Sequence, residues 1–252
     1  MSGHPPPSNP WRILGRALLW LLAAETAAYA VSFLIVFFLA MAHALAHGKP
    51  GWQPSPLVYA LPATVALQGI LLFVDLREGR LRGYGSLATG LGAAPVRRPR
   101  LIAFFIVLMI AWVFTYITLL IHFQNVATFI AHDVPPTPVL RMTGGPALIV
   151  IRLLLIAGLA PFAEELFFRG WLWTALCRTW SVWPTALCTG GIWLALHALE
   201  GAVRVPILVP AAILLSLARH YGGSVRASIP IHAANNLTAV AIQLFAASLG
   251  GP

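Results

Sequence analysis

The sequence predicts an all-α, polytopic transmembrane helical bundle of seven or eight membrane segments, and three observations predict it. Hydrophobic residues make up 59% of the 252 and charged ones 9%, with a mean hydropathy of +0.83, so polar side chains could not cover a water-facing surface. Apolar runs recur at about 17–46, 56–75, 101–122, 145–161, 184–199, 203–219 and 225–249, several near the roughly 20 residues a bilayer span requires. No polar stretch between them is long enough to fold alone, so residues 1–252 read as a single transmembrane domain.

The opening MSGHPPPSNPWR is too polar and proline-rich for a signal peptide, and the apolar run after it is too long for a cleaved one. Residues 1–16 therefore read as a short cytoplasmic tail before a retained first span, which is long enough to tilt and protrude. HGKPGWQPSP at 47–56 carries the breakers that lead into the second span. Between the second and third lies a loop at 77–100 crowded with Arg77, Arg80, Arg82, Arg97, Arg98 and Arg100. Together with Arg12 and Arg16 before the first span, these place the N-terminus and that loop on the cytoplasmic side under the positive-inside rule. The same basic residues flank spans and lack interleaved aromatics, which argues against a nucleic-acid partner and leaves the lipid bilayer as their setting.

HDVPPTPVLRMTGGP at 132–146 precedes the fourth run. Beyond it, 162–178 either continues the fourth run as one long helix or breaks from it at Pro161, hence seven segments or eight. Trp171, Trp173, Trp180 and Trp183 around its far end read as interfacial anchors. Cys177 and Cys188 lack metal-ligand spacing and read as small buried apolar residues. His43, His47, His122 and His132 fall toward the presumed outer side as solvated loop residues, and Glu200 and Arg204 at an interface. Glu25, Gln68 and Arg152 lie within spans, where a role in tying helices together accounts for them.

The chemistry concentrates in the second half. Only five glutamates and two aspartates occur in the chain, yet Glu164 and Glu165 stand side by side in IRLLLIAGLAPFAEELFFRGWLWTAL. A carboxylate at bilayer depth costs on the order of several kcal/mol unless it is paired or hydrated. Arg169 lies one helical turn beyond Glu165 and can hold it, whereas Glu164 sits about 100° round the helix and is left to point elsewhere. Trp193-x-x-x-His197 ends another apolar run, and His232-x-x-x-Asn236 places an imidazole and a carboxamide on one face of a third. Taken singly, His197 and the His232–Asn236 pair could each be interhelical hydrogen-bonding groups. Together, the acids, histidines and asparagine can supply a base for water, a donor for an oxyanion and a proton for a leaving amine.

PFAEELFFRGWLWTAL, GGIWLALHALEG and SLARHYGGSVRASIPIHAANNLTA, in that order, resemble the CAAX protease and bacteriocin-processing (CPBP) intramembrane proteases, which include type II CAAX prenyl endopeptidases. The resemblance covers roughly 145–245 as a catalytic core. It implies an all-helical membrane fold with a conical hydrated cavity and an endopeptidase acting through glutamate-activated water. It also implies a membrane-embedded or lipid-modified protein substrate. By the same resemblance, Glu164 activates the water with help from His197, His232 and Asn236 hold the oxyanion, and Glu165 and Arg169 support the site. Trp193 stands where phenylalanine is usual, a change expected to preserve bulk, and the run at 203–218 has alanines where the family tends to place glycines.

No cofactor is firmly implied. Two histidines and a carboxylate would suit zinc with an open position, but the His-Glu-x-x-His spacing is missing, and a glutamate base with a histidine and asparagine needs no metal. Two other functions stay open: a catalytically silent scaffold or immunity-type relative, and a small proton- or cation-coupled transporter using Glu164 and Glu165. The alanine-rich, arginine-over-lysine composition points to a bacterial cytoplasmic membrane with the N-terminus inside.

Overall fold

A computed structural model of the chain describes residues 9–47, 55–81, 86–122, 146–199, 201 and 205–249. His132, Glu200, Arg204 and the loop at 132–145 lie outside them. The described residues form eight helices and no strand: α1 (Pro10–His47), α2 (Pro56–Leu81), α3 (Leu87–Gly90), α4 (Arg100–His122), α5 (Pro146–Leu176), α6 (Val182–Leu199), α7 (Val205–Gly222) and α8 (Val225–Leu249). Helices α1, α2, α5, α6 and α7 are each long and apolar enough to cross a membrane, and α4 carries a shorter apolar stretch over Arg100–Tyr116.

Proline accounts for several boundaries. Pro10, Pro56 and Pro146 each open a helix, where the missing N–H would have had no partner. Pro161 does not break its helix. It cannot donate to the carbonyl four residues back, and the chain widens into a π-helical stretch at Leu154–Leu159 just before it, so 146–176 runs as one helix. The helix of residues 10–16 likewise extends into what reads from sequence as an irregular tail. At the other end of α1, His43 and His47 occupy its last turns, so they are not loop residues.

α1 buries one stripe against α2, formed by Ile13, Ala17, Leu21, Ala24 and Ala28, while Leu18, Leu19, Leu22 and Phe33 on its other faces stay exposed. α5 is different. Ala163, Leu166, Phe167, Phe168, Trp171, Leu172, Ala175 and Leu176 are all buried, so its second half forms the centre of the bundle with α2, α6 and α8 around it. Trp171 and Trp173 are therefore core residues, not interfacial anchors; Trp183, at 58% exposure, keeps the outward position expected of it. Cys177 and Cys188 are half-buried free thiols. The alanines of α7 pack closely all the same: Ala211, Ala212 and Ala218 are buried, and a methyl group at Gly190 of α6 would lie 3.8 Å from Ala212.

One end of the bundle collects the arginines. Arg16 and Arg77 both bond Glu78, Trp11 meets Trp180 edge-on, Arg97 N–H donates to Gly222 O and Val225 N–H to Gly92 O. Gly92 makes the turn after α3 with φ +57°, and a Cβ there would collide with Arg219 Nη2 and lie 2.8 Å from Thr174 Oγ1. Gly92→Ala is expected to destabilise the protein by about 1–2 kcal/mol from the backbone alone. Thermal unfolding in detergent checks this against Gly191→Ala, where a Cβ meets nothing within 4 Å.

Candidate active site

α5 carries two π-helical stretches, Leu154–Leu159 and Leu166–Leu172, and the paired glutamates stand on the α-helical segment between them. Such stretches disturb the regular hydrogen-bond ladder, and here a neighbouring helix takes a carbonyl from each. Asn236 Nδ2 of α8 donates to Ile156 O at 2.8 Å. Arg219 Nε of α7 donates to Arg169 O at 2.7 Å, with its guanidinium over Trp173. The segment bearing Glu164 and Glu165 is thus fixed from both sides.

Glu165 and Arg169 are fully buried, and Arg169 Nη1 donates to Glu165 Oε1 at 3.0 Å. His232 Nδ1 reaches the same oxygen at 3.0 Å from α8. An ionised carboxylate only accepts, so His232 carries its hydrogen on Nδ1 and, when neutral, has a bare Nε2.

Glu164 is only partly buried, and it is not free as its helical position suggested. Gln68 Nε2 of α2 donates to its Oε1 at 3.3 Å, and Trp193 Nε1 of α6 donates to its Oε2 at 2.9 Å. These two partners come from packing rather than spacing. Gln68 was visible in sequence only as a polar residue in a span. At position 193 the change from the usual phenylalanine to tryptophan does more than preserve bulk, because it supplies the N–H that holds Glu164.

Trp193 also joins the rest of the constellation. Its ring lies 4.3 Å from that of His197 and 5.5 Å, edge-on, from that of His232, with Arg169 Cζ 5.3 Å from its centroid. His197 is half-buried and turns Nδ1 to Trp193 O at 2.9 Å. A carbonyl only accepts, so the neutral ring again leaves Nε2 bare and able to take a proton. Among the described residues no hydrogen bond joins Glu164 to His197, His232 or Asn236. Measured along their helices from the arginine-rich end, Glu164, Gln68, Trp193 and His232 lie roughly 10–18 Å in.

Residues 146–238 match the family model described as Type II CAAX prenyl endopeptidase Rce1-like. This part of the chain is similar to CAAX-protease-like domains. Neither the search of curated proteins nor that of solved structures found a match. The matched stretch contains all six residues singled out from sequence, Glu164, Glu165, Arg169, His197, His232 and Asn236, whereas Gln68 comes to it from outside. The match implies a peptidase, embedded in the membrane and acting on a membrane-associated protein.

A zinc ion does not fit these residues. Among the described residues no three of His, Cys, Asp and Glu converge on one point. Glu165 Oε1 already accepts from a guanidinium and an imidazole, and His197 spends Nδ1 on its own helix.

Proposed function

We propose that the chain is an intramembrane endopeptidase that hydrolyses a peptide bond of a membrane-associated or lipid-modified protein, with Glu164 as general base. The observation that carries this reading is the hold on Glu164: a partly exposed carboxylate fixed by donors on both oxygens, beside a buried Glu165–Arg169–His232 network. Each carboxylate oxygen has a second lone pair, so a water can still approach Glu164.

In this mechanism Glu164 takes a proton from water as the water oxygen attacks the peptide carbonyl carbon. His232 meets the resulting oxyanion through Nε2–H of the doubly protonated ring, which Glu165 holds in place through Nδ1. Asn236 has one amide hydrogen beyond that given to Ile156 O, and this is the second donor. The tetrahedral intermediate collapses by breaking the C–N bond, and the amine leaves with the proton that Glu164 accepted. The new carboxylic acid then loses its own proton, which His197 Nε2 accepts and passes to water. Several buried polar atoms of the site, Gln68 Oε1, Glu165 Oε2 and Arg169 Nε and Nη2, have no protein partner among the described residues, which supports entry of water to this depth.

The basic end of the bundle, with Arg16, Arg77, Arg80, Arg97 and Arg98, faces the cytoplasm in this reading, in a bacterial cytoplasmic membrane. The test is to give purified protein farnesylated CAAX peptides and unmodified membrane peptides and to map products by mass spectrometry. Cleavage that persists in both Glu164→Ala and His232→Ala would end the protease reading. Trp193→Phe is a finer probe. Loss of one hydrogen bond to a charged group is expected to lower kcat roughly tenfold with KM little changed, measured on any substrate the screen yields.

A further inference from the structure

A second buried carboxylate is not used by this site. Asp75 of α2 is fully buried, and neither of its oxygens has a hydrogen-bond partner among the described residues. The other described acids of this region are engaged: Glu78 by Arg16 and Arg77, Glu164 by Gln68 and Trp193, Glu165 by Arg169 and His232. Asp75 borders a cavity of about 470 Å³ between α2, α3, α5 and α8, within the range of small-ligand sites. Its walls are otherwise apolar, including Leu72, Leu76, Leu87 and Phe162, except for Arg226. Arg226 is exposed at the start of α8.

This cavity lies on the opposite face of α5 from the hydrolytic site, since Phe162 and Leu166, two residues either side of Glu164, line it. Along α2, Asp75 is about 8 Å inside Arg80, which puts it near the depth of lipid headgroups at the arginine-rich end. A buried carboxylate without a partner is expensive to keep and calls for a cation that can donate hydrogen bonds. An exposed arginine on the same cavity calls for an anion, and the apolar walls for a hydrocarbon chain.

We propose that this cavity binds a phospholipid with a primary ammonium headgroup, the ammonium bonded to Asp75, the phosphate to Arg226 and an acyl chain along the apolar walls. The inference depends on the membrane setting and not on the protease reading, so either can fail alone. Native mass spectrometry and thermal unfolding of the full chain test it, with phosphatidylethanolamine, phosphatidylcholine and phosphatidylglycerol of one acyl composition added separately. Phosphatidylethanolamine is expected to bind roughly tenfold more tightly than phosphatidylcholine, whose quaternary ammonium has no hydrogen to donate.

Asp75→Asn is expected to erase that preference, and because lipids are compared within one variant, a change in its intrinsic stability does not affect the result. Ala88→Trp, on the exposed helix α3 at the cavity wall, fills the space without touching Asp75 and is expected to erase it too. Equal binding of the ethanolamine and choline lipids overturns the proposal, as does a preference that survives both substitutions. Tight binding of dodecylamine without a preference for phosphatidylethanolamine overturns the lipid assignment in favour of a free amine.

Discussion

Glu164→Gln is expected to lower kcat/KM for peptide cleavage by about 10³, within the 10²–10⁴ that a positioned general base contributes, while the protein unfolds at nearly the wild-type temperature. The substitution is close to isosteric, and the surroundings can absorb it. Trp193 Nε1 can still donate to the amide oxygen at position 164. Gln68, whose Oε1 has no partner, can turn its amide over and accept from the new NH₂. Only the ability to accept a proton from water is removed. Glu164→Asp keeps the carboxylate but draws it back by one methylene from both donors, so a loss of roughly 10² is expected from misplacement. Steady-state rates and thermal unfolding on the same preparations separate the two effects. If Glu164→Gln keeps more than about a tenth of the activity, the base is another group, and His197, with its bare Nε2, becomes the candidate to replace next.

Local periodicity made part of this site readable and hid the rest. Glu165 and Arg169 are one turn apart, so their contact follows from helix geometry, and the structure joins them at 3.0 Å. Nothing local brings Gln68 to Glu164, because that bond depends on how α2 lies against α5. Trp193 could be seen to stand before His197, but its N–H direction depends on the packing of α6. Hydropathy also cannot distinguish a helix surrounded by lipid from one surrounded by protein, since lipid tails are as apolar as leucine. α1 and α5 both read as long apolar runs, yet α1 exposes most of its faces while α5 buries Trp171 and Trp173. Sequence alone leaves the continuity of α5 through Pro161 open for a similar reason. A proline signals a lost hydrogen bond, and whether the helix breaks or widens depends on neighbours that take up a freed carbonyl, here Asn236 at Ile156 O.

Arg169→Leu is expected to cost about 3–5 kcal/mol of stability, the largest structural effect of any single change at the site, because it leaves Glu165 as a fully buried acid without its cation. The cost should come mainly from the stranded carboxylate rather than from the lost attraction. Adding Glu165→Gln to Arg169→Leu should therefore recover most of the stability: the amide oxygen still accepts from His232 Nδ1, and no buried charge remains. Activity should not return with it, because the oxyanion is then met without the Glu165 carboxylate behind His232. Thermal unfolding in detergent and cleavage rates on the single and double variants check both statements. A loss under about 1 kcal/mol for Arg169→Leu would mean that water solvates Glu165 well enough to replace the guanidinium. A double variant that regains activity along with its fold would show that Glu165 acts through packing and not through its charge on His232.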